Sequence, residues 1–270
     1  MRLADVGPVA VGFWRLALAL PLLIAIGALV GQPARWPRPA LVWAIAAAAL
    51  FYTADLACWN IGIRMTKLGN ATLFGNFASF AFAAWGLWLA RRLPTRTQAL
   101  ALSLAATGCA LLISGSAELS IRNLHGDLLA LVAGILYAGY LIFVERARTE
   151  LAPVPILILA TAFSAALLLP ISAILGERIW PNDWTPLFVI ALTSQVIGQG
   201  LLVYAIGTFS PLIVGLALLA QPAIAAGIGW FFYDEHLSTL DWVGALAIAA
   251  ALVLVRLPQR GLRDGARQTT

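Results

Sequence analysis

The feature that most limits what this chain can become is its division into nine long apolar runs. Each is close to the roughly 20 residues a helix needs to cross about 30 Å of hydrocarbon. They extend from Val9 to Val30, Ala40 to Gly62, Gly69 to Ala90, Gln98 to Gly115, Gly126 to Val144, Val154 to Leu175, Pro186 to Gly207, Pro211 to Phe232 and Leu240 to Val255. A peptide group has no water partner inside a bilayer, so such segments enter it as helices with their backbone paired internally. The links are short, rich in Arg, Pro, Gly or Asp, and too small to hold a soluble domain. The expected fold class is therefore an all-α polytopic membrane protein with nine transmembrane helices. Composition agrees: 61% of the 270 residues are apolar and 11% charged, against about half and about a quarter in soluble domains.

The net charge of +5 is read as topology and not as a nucleic-acid footprint, because the basic residues sort by side. Arg35, Arg38, Arg91, Arg92, Arg96, Arg146, Arg148, Arg256, Arg260, Arg263 and Arg267 fall on one side, and Arg2, Arg64, Lys67, Arg122 and Arg178 on the other. Basic loops stay cytoplasmic. The C-terminus and its basic tail, 258–270, are thus expected in the cytoplasm of a cell with this multi-pass protein in its inner (plasma) membrane. Nine helices then put the N-terminus outside. The first run follows eight residues with no cleavage site and is read as a retained helix, not a signal peptide.

The chain resembles itself at long range. Trp14 to Pro21 lines up with Phe163 to Pro170, Trp59-Asn60-Ile61-Gly62 with Tyr204-Ala205-Ile206-Gly207, and Leu93-Pro94-Thr95 with Leu237-Ser238-Thr239. Runs one to four match runs six to nine, which leaves the fifth without a partner. The simplest account is five plus five with the opening helix missing, so that the chain is a 4+5 arrangement from an N-terminally shortened reading frame; an intact nine-helix protein is the alternative. Repeats of five helices enter the bilayer from opposite sides, as in inverted-repeat secondary transporters. The expected units are 1–116, lacking its opening helix, and 117–257.

Gln221-Pro222-Ala223-Ile224-Ala225-Ala226, then Trp230-Phe231-Phe232-Tyr233-Asp234-Glu235-His236-Leu237 and Asp241-Trp242-Val243-Gly244, resemble the signature of EamA-like drug/metabolite transporters, with Asp234 and His236 in place of the usual Gly and Arg. Trp14-Arg15-Leu16-Ala17 with Pro21 is similar to the opening of that family's second helix. The resemblance implies ten helices in two inverted EamA repeats, a cavity between the halves and efflux of small organic solutes. It does not identify the solute.

Polar groups inside a membrane helix are costly and mark candidate sites. Arg15 lies roughly 9 Å and Asp55 roughly 10 Å inside their spans at 1.5 Å per residue, placed to pair as a structural lock, or as a gate or charge partner for a substrate. Asn76 with Ser79, and Gln221 with Pro222, sit near mid-membrane at nearly equivalent places. Pro222 removes a backbone donor and kinks its helix. These residues read either as cavity wall or as amide contacts between helices. Gln195 and Gln199, four apart, share a helix face. Trp59, Tyr137, Tyr140 and Tyr204 could each stack on or hydrogen-bond a ring-bearing solute; Tyr137 and Tyr140 are deep enough to line a cavity, whereas for Trp59 and Tyr204, close to the outer boundary, interfacial anchoring is favoured. Gly198 and Gly200, and Gly227 and Gly229, suit either close packing or a sliding surface.

Enzymatic readings lack parts. His125 and His236 lie in predicted loops, Ser114-Gly115-Ser116 has no base beside it, and no phosphate-binding Gly-rich motif or metal-ligand spacing occurs, with Cys58 and Cys109 unpaired in apolar runs. The chain is therefore expected to need no cofactor and no metal, and its expected partners are a small-molecule solute and membrane lipid, with a homodimer permitted and no nucleic acid. The function expected is a secondary transporter that exports amino-acid-like or drug-like solutes by alternating access; a passive channel or a non-transporting membrane scaffold is the alternative.

Overall fold

The computed structural model describes residues 4–33, 36–66, 68–91, 93–114, 121–224 and 238–256. Regular structure among them is entirely helical: α1 (Pro8–Leu29), α2 (Pro39–Met65), α3 (Leu68–Gly75), α4 (Phe77–Leu89), α5 (Arg96–Ser114), a short turn at Ile121–Asn123, α6 (Leu124–Arg148), α7 (Pro153–Ile174), α8 (Thr185–Ile190), a π-helical stretch (Ala191–Gln199), α9 (Gly200–Ile206), α10 (Pro211–Leu218) and α11 (Thr239–Arg256). Among the described residues, six segments are long and apolar enough to span a bilayer: Pro8–Leu29, Leu41–Met65, Asn70–Leu89, Leu124–Arg148, Pro153–Ile174 and Thr185–Ile206. Shorter apolar helices cover Pro211–Ile224 and Thr239–Val255. The turn around Trp230 to Leu237, Gly227, Gly229, His236, Gly115, Ser116 and the tail at 258–270 lie outside the described residues.

Among the described residues, three of the nine runs are not simple helices. The third divides at Asn76, where ψ of −10° tightens the chain and the Ser79 N–H turns to the Asn76 carbonyl. The eighth leaves regular helix after Leu218 and resumes at Gln221. Pro222 supplies no N–H to the Leu218 carbonyl four residues back, so the break falls where the missing donor puts it. The seventh run widens over nine residues into a π-helix, a form usually confined to a single turn and frequent at functional sites.

Matching features recur at one spacing. α1 and α7 are both 22 residues long, each opens on a proline (Pro8, Pro153) after an extended residue (Gly7, Ala152), and each is followed by a glycine with positive φ, Gly31 at 70° and Gly176 at 65°. The next N–H in each case, Gln32 or Glu177, returns to the carbonyl five residues earlier, the closing bond of a Schellman cap. All these pairs stand 145 residues apart, as do Gly62 with Gly207 and Asn76 with Gln221. The pairing of Pro21 with Pro170 drawn from sequence is one helical turn out of this register. Further along, α5 and α11 both begin in reciprocal capping boxes. Thr95 and Gln98 exchange backbone-to-side-chain bonds of 3.0 and 3.3 Å, and Ser238 and Asp241 do so at 2.8 and 3.3 Å.

The most extensive helix pairs are α2 with α6, α5 with α11, α1 with α7 and α4 with α10. Lipid tails are as apolar as leucine, so the pairs are held by close van der Waals fit and hydrogen bonds. Ala44, Ala48 and Ala49 of α2 and Ala130, Ala133 and Ala138 of α6 are buried, and such small side chains permit that fit. The Ser164 hydroxyl of α7 donates to the Ala49 carbonyl of α2 at 3.0 Å.

Candidate functional site

The broken helices, α2, α6 and the π-helix surround a central cavity of about 230 Å³. α2 contributes Tyr52, Asp55, Leu56 and Trp59, one face at helical spacing. α1 adds Arg15. The break between α3 and α4 adds Gly75, Asn76 and Ser79, and α6 adds Gly134 and Tyr137. The π-helix adds Gln199, while Leu218 and Gln221 come from either side of the second break. Both breaks therefore open onto the same space. The polar residues expected from sequence converge there with two exceptions, Tyr140 and Gln195, which lie one layer behind the wall.

That second layer is a hydrogen-bonded chain across the molecule. Arg15 Nη2 donates to the Tyr52 hydroxyl at 2.7 Å, and that hydroxyl donates to Gln195 Oε1 at 2.7 Å. Gln195 Nε2 in turn donates to the Thr161 hydroxyl of α7 at 2.9 Å. A parallel chain runs through Gln199, whose Nε2 donates to the Tyr137 hydroxyl at 3.0 Å while its Oε1 accepts from Tyr140 at 3.2 Å. The rings are layered: Tyr52 and Tyr140 stack at 4.6 Å, Tyr137 and Tyr140 at 5.5 Å. Between them, Gln195 and Gln199 on the π-helix bond three tyrosines, Tyr52, Tyr137 and Tyr140.

Arg15 and Asp55 are 6% and 8% exposed, yet among the described residues no ion pair or hydrogen bond joins them. The contact pair that the sequence suggests is thus replaced by Arg15 to Tyr52. Arg15 Nε has no partner. Burying a charge without a partner costs several kcal/mol, and here a guanidinium and a carboxyl stand on one cavity wall without bonding to each other. Asn76 is buried and its amide faces Cys109 Sγ at 3.4 Å, whereas Gln221 is exposed to the cavity and Pro222 is buried behind it.

Tyr52 and Thr161 were not among the residues singled out from sequence. Tyr52 stands three residues before Asp55, a spacing that puts both on one face, so the signal was present. Trp59, read as an anchor, lines the cavity instead. Tyr204 is 56% exposed and borders a separate, mainly apolar cavity of about 320 Å³ between α1, α7 and α9. No cluster of metal-ligating side chains occurs among the described residues.

Comparison with known proteins follows this geometry. The profile of the EamA-like transporter family matches residues 1–114 and 124–257. The threonine/homoserine exporter RhtA of Salmonella typhimurium (strain SL1344) is 29% identical over 163 residues, 58% of this chain and 55% of that protein. RhtA of Escherichia coli (strain K12) is 30% identical over 150 residues, 55% of this chain and 50% of that protein. The chain thus spans about half the length of these two exporters. The uncharacterized transporter YwfM of Bacillus subtilis (strain 168) is 27% identical over 225 residues, 78% of this chain and 70% of that protein. A solved crystal structure superimposes with a TM-score of 0.76 over 94% of this chain and 88% of the other at 16% identity, a likeness of fold alone.

Proposed function

The chain belongs to the EamA-like transporter family, and on that premise we propose that it is a secondary exporter of small zwitterionic solutes of amino-acid size. Family membership points to transport and away from catalysis, and the apolar helices make it a multi-pass membrane protein. The finer reading is two inverted repeats, 1–116 and 117–257, in a 4+5 arrangement of nine spans, which carry solute by alternating access. The C-terminus lies in the cytoplasm and the membrane is the inner one. The recurrence of helix ends at a spacing of 145 residues supports the repeat.

The observation that carries the substrate class is Arg15 and Asp55, buried on one cavity wall without pairing to each other. A carboxylate on Arg15 and an ammonium on Asp55 would satisfy both. Tyr137, Gln199, Asn76, Ser79 and Gln221 complete the wall with neutral polar groups, while Tyr140, Gln195 and Pro222 support it from behind. The volume favours amino-acid-like over drug-like solutes, since about 230 Å³ falls below the roughly 300–1,000 Å³ of sites for drug-sized ligands. The two exporters named for threonine and homoserine point the same way.

The test is counterflow in proteoliposomes, with radiolabelled threonine outside and unlabelled threonine or homoserine inside. Exchange that saturates and needs internal solute supports the proposal. Single-channel current without exchange identifies a channel, and no flux of any amino acid across a panel removes the reading.

A further inference from the structure

The loops that follow α1 and α7 have the same geometry but close differently. After Gly176, Glu177 reaches to the start of α1, where its carboxylate accepts the N–H groups of Val9 at 3.2 Å and Ala10 at 2.8 Å. The Gly7 N–H donates to the Arg178 carbonyl at 3.0 Å, and the Trp14 indole donates to the Ile179 carbonyl at 2.7 Å. A carboxylate on two N–H groups at a helix N-terminus gains both charge-assisted hydrogen bonds and the helix dipole.

At the opposite end, the residue 145 positions before Glu177 is Gln32, which follows Gly31 and faces the start of α7 across the apolar cavity that Pro153 and Val154 also border. Its Oε1 is buried and has no hydrogen-bond partner. Among the described residues no bond from Ala152 to Pro33 answers the one from Gly7 to Arg178. Three residue differences explain this. Gln32 is neutral where Glu177 is charged. Pro155 stands where Ala10 donates, and has no N–H. Ala152 stands where Gly7 admits the incoming side chain: a Cβ at Gly7 would lie 2.4 Å from Glu177 Cδ.

We propose that Glu177 is a one-sided latch that keeps the α1 N-terminal end of the carrier shut and sets its resting state, while the equivalent contact at the α7 N-terminal end is weakened by Gln32, Ala152 and Pro155. The inference rests on the alternating-access reading, in which the two ends of an inverted pair part by turns. A bond made only when one end is shut biases the equilibrium by its own strength, and here the sequence supplies that bond at one end only. Loss of a helix N-cap of ordinary strength shifts an equilibrium by roughly fivefold.

The experiment uses the protein in lipid nanodiscs with Cys58 and Cys109 replaced by Ser and spin labels at Ala4 and Leu175, read by pulsed dipolar spectroscopy without solute. E177A, and independently G7A, which keeps the carboxylate but displaces it, are expected to raise the population of long distances about fivefold. With Glu177 intact, the transplant A152G/Q32E/P155A is expected to raise the same long-distance population by strengthening the far end. Distance distributions unchanged in both E177A and G7A overturn the latch, and so does a transplant without effect. Because the readout is distance and not flux, a protein that exchanges no amino acid but shifts as described would refute the proposed function and leave the latch standing.

Discussion

Replacing Tyr52 by Phe removes a single oxygen that serves two buried bonds. The hydroxyl accepts from Arg15 Nη2 and donates to Gln195 Oε1, both at 2.7 Å. Without it, a guanidinium N–H and an amide oxygen lose their partners in the protein interior. An unsatisfied buried group costs about 1–3 kcal/mol in water-soluble proteins, while polar contacts measured between membrane helices average about 0.6 and reach about 1.7 kcal/mol. The bond to Arg15 involves a charge and belongs at the upper end, so a total near 2 kcal/mol is expected, on the order of thirtyfold in an equilibrium constant. Part of this appears as lower thermal stability. The rest appears as a KM for threonine counterflow raised about tenfold, because Arg15 Nε is already unpaired and the guanidinium loses its hydrogen bond to Tyr52, while the ring 5.9 Å from its Cζ remains. Tyr140→Phe is the control: it breaks one neutral bond of 3.2 Å and keeps the stacked ring, so KM should move less than threefold. The assay is initial-rate counterflow in proteoliposomes matched for inserted protein. If Tyr52→Phe and Tyr140→Phe give equal KM values, the hydroxyl does not position Arg15, and the argument from its two bonds fails.

Four further outcomes follow. Asp55→Asn leaves the packing intact but removes the ionisable carboxyl from the cavity wall; counterflow of zwitterions should fall at least tenfold by initial rate, with unchanged elution on size exclusion, and retained exchange would take Asp55 out of the site. Gln221→Leu should reduce efflux severalfold from overproducing cells without changing membrane insertion; undiminished efflux excludes Gln221. Thr95→Ala and Ser238→Ala each delete a capping box and should each lower stability by about 1 kcal/mol, additively in thermal shift because the sites do not touch. Gly215→Val places a Cβ 2.5 Å from the Ser79 carbonyl and 3.0 Å from Ala83 Cβ, which forces α10 from α4 at a cost of about 1–3 kcal/mol; a melting temperature equal to that of the parent protein would contradict that contact.

The helical membrane architecture was legible because it follows from apolar length alone. The interruptions were legible only where a residue forces them. Pro222 announced the break after Leu218, but the one at Asn76 leaves no proline, and nothing in Ala191 to Gln199 distinguishes a π-helix from an α-helix of the same composition. The repeat was visible at Gly62 and Gly207 and before α5 and α11. It slipped by one turn at Pro21 and Pro170, since an apolar helix looks much the same four residues along. The helix ends that correct this register lie at Gly31 and Gly176, where positive φ is fixed by backbone geometry and not by hydrophobic pattern. Among the site residues, polar groups in apolar runs were found by their cost in lipid. Tyr137 and Tyr140 were read as cavity liners from their depth, but Tyr52 was passed over although it shares a face with Asp55. Glu177 was invisible as a latch because its partners are backbone N–H groups 168 and 167 residues away.

Helix ends recur at the 145-residue spacing while the side chains at paired positions differ in chemistry, and that difference bears on how a carrier of this kind would work. At the 145-residue spacing Arg15 corresponds to Ala160 and Asp55 to Gly200, so both cavity charges belong to the first half. The second half offers Gln199 and Gln221 to the same space, neutral groups with hydrogen-bonding capacity but no charge to neutralise. Under the proposed function, a zwitterion held by α1 and α2 would keep its strong contacts while the second half moved past it, and the weaker amide contacts would be the ones exchanged. The latch has the same asymmetry: a charged cap on α1 is answered by a neutral, unpaired glutamine at α7. If the halves exchange by alternating access as proposed, the repeat would supply two conformations of similar packing, and the few residues that break it would decide which is populated and which half holds the solute.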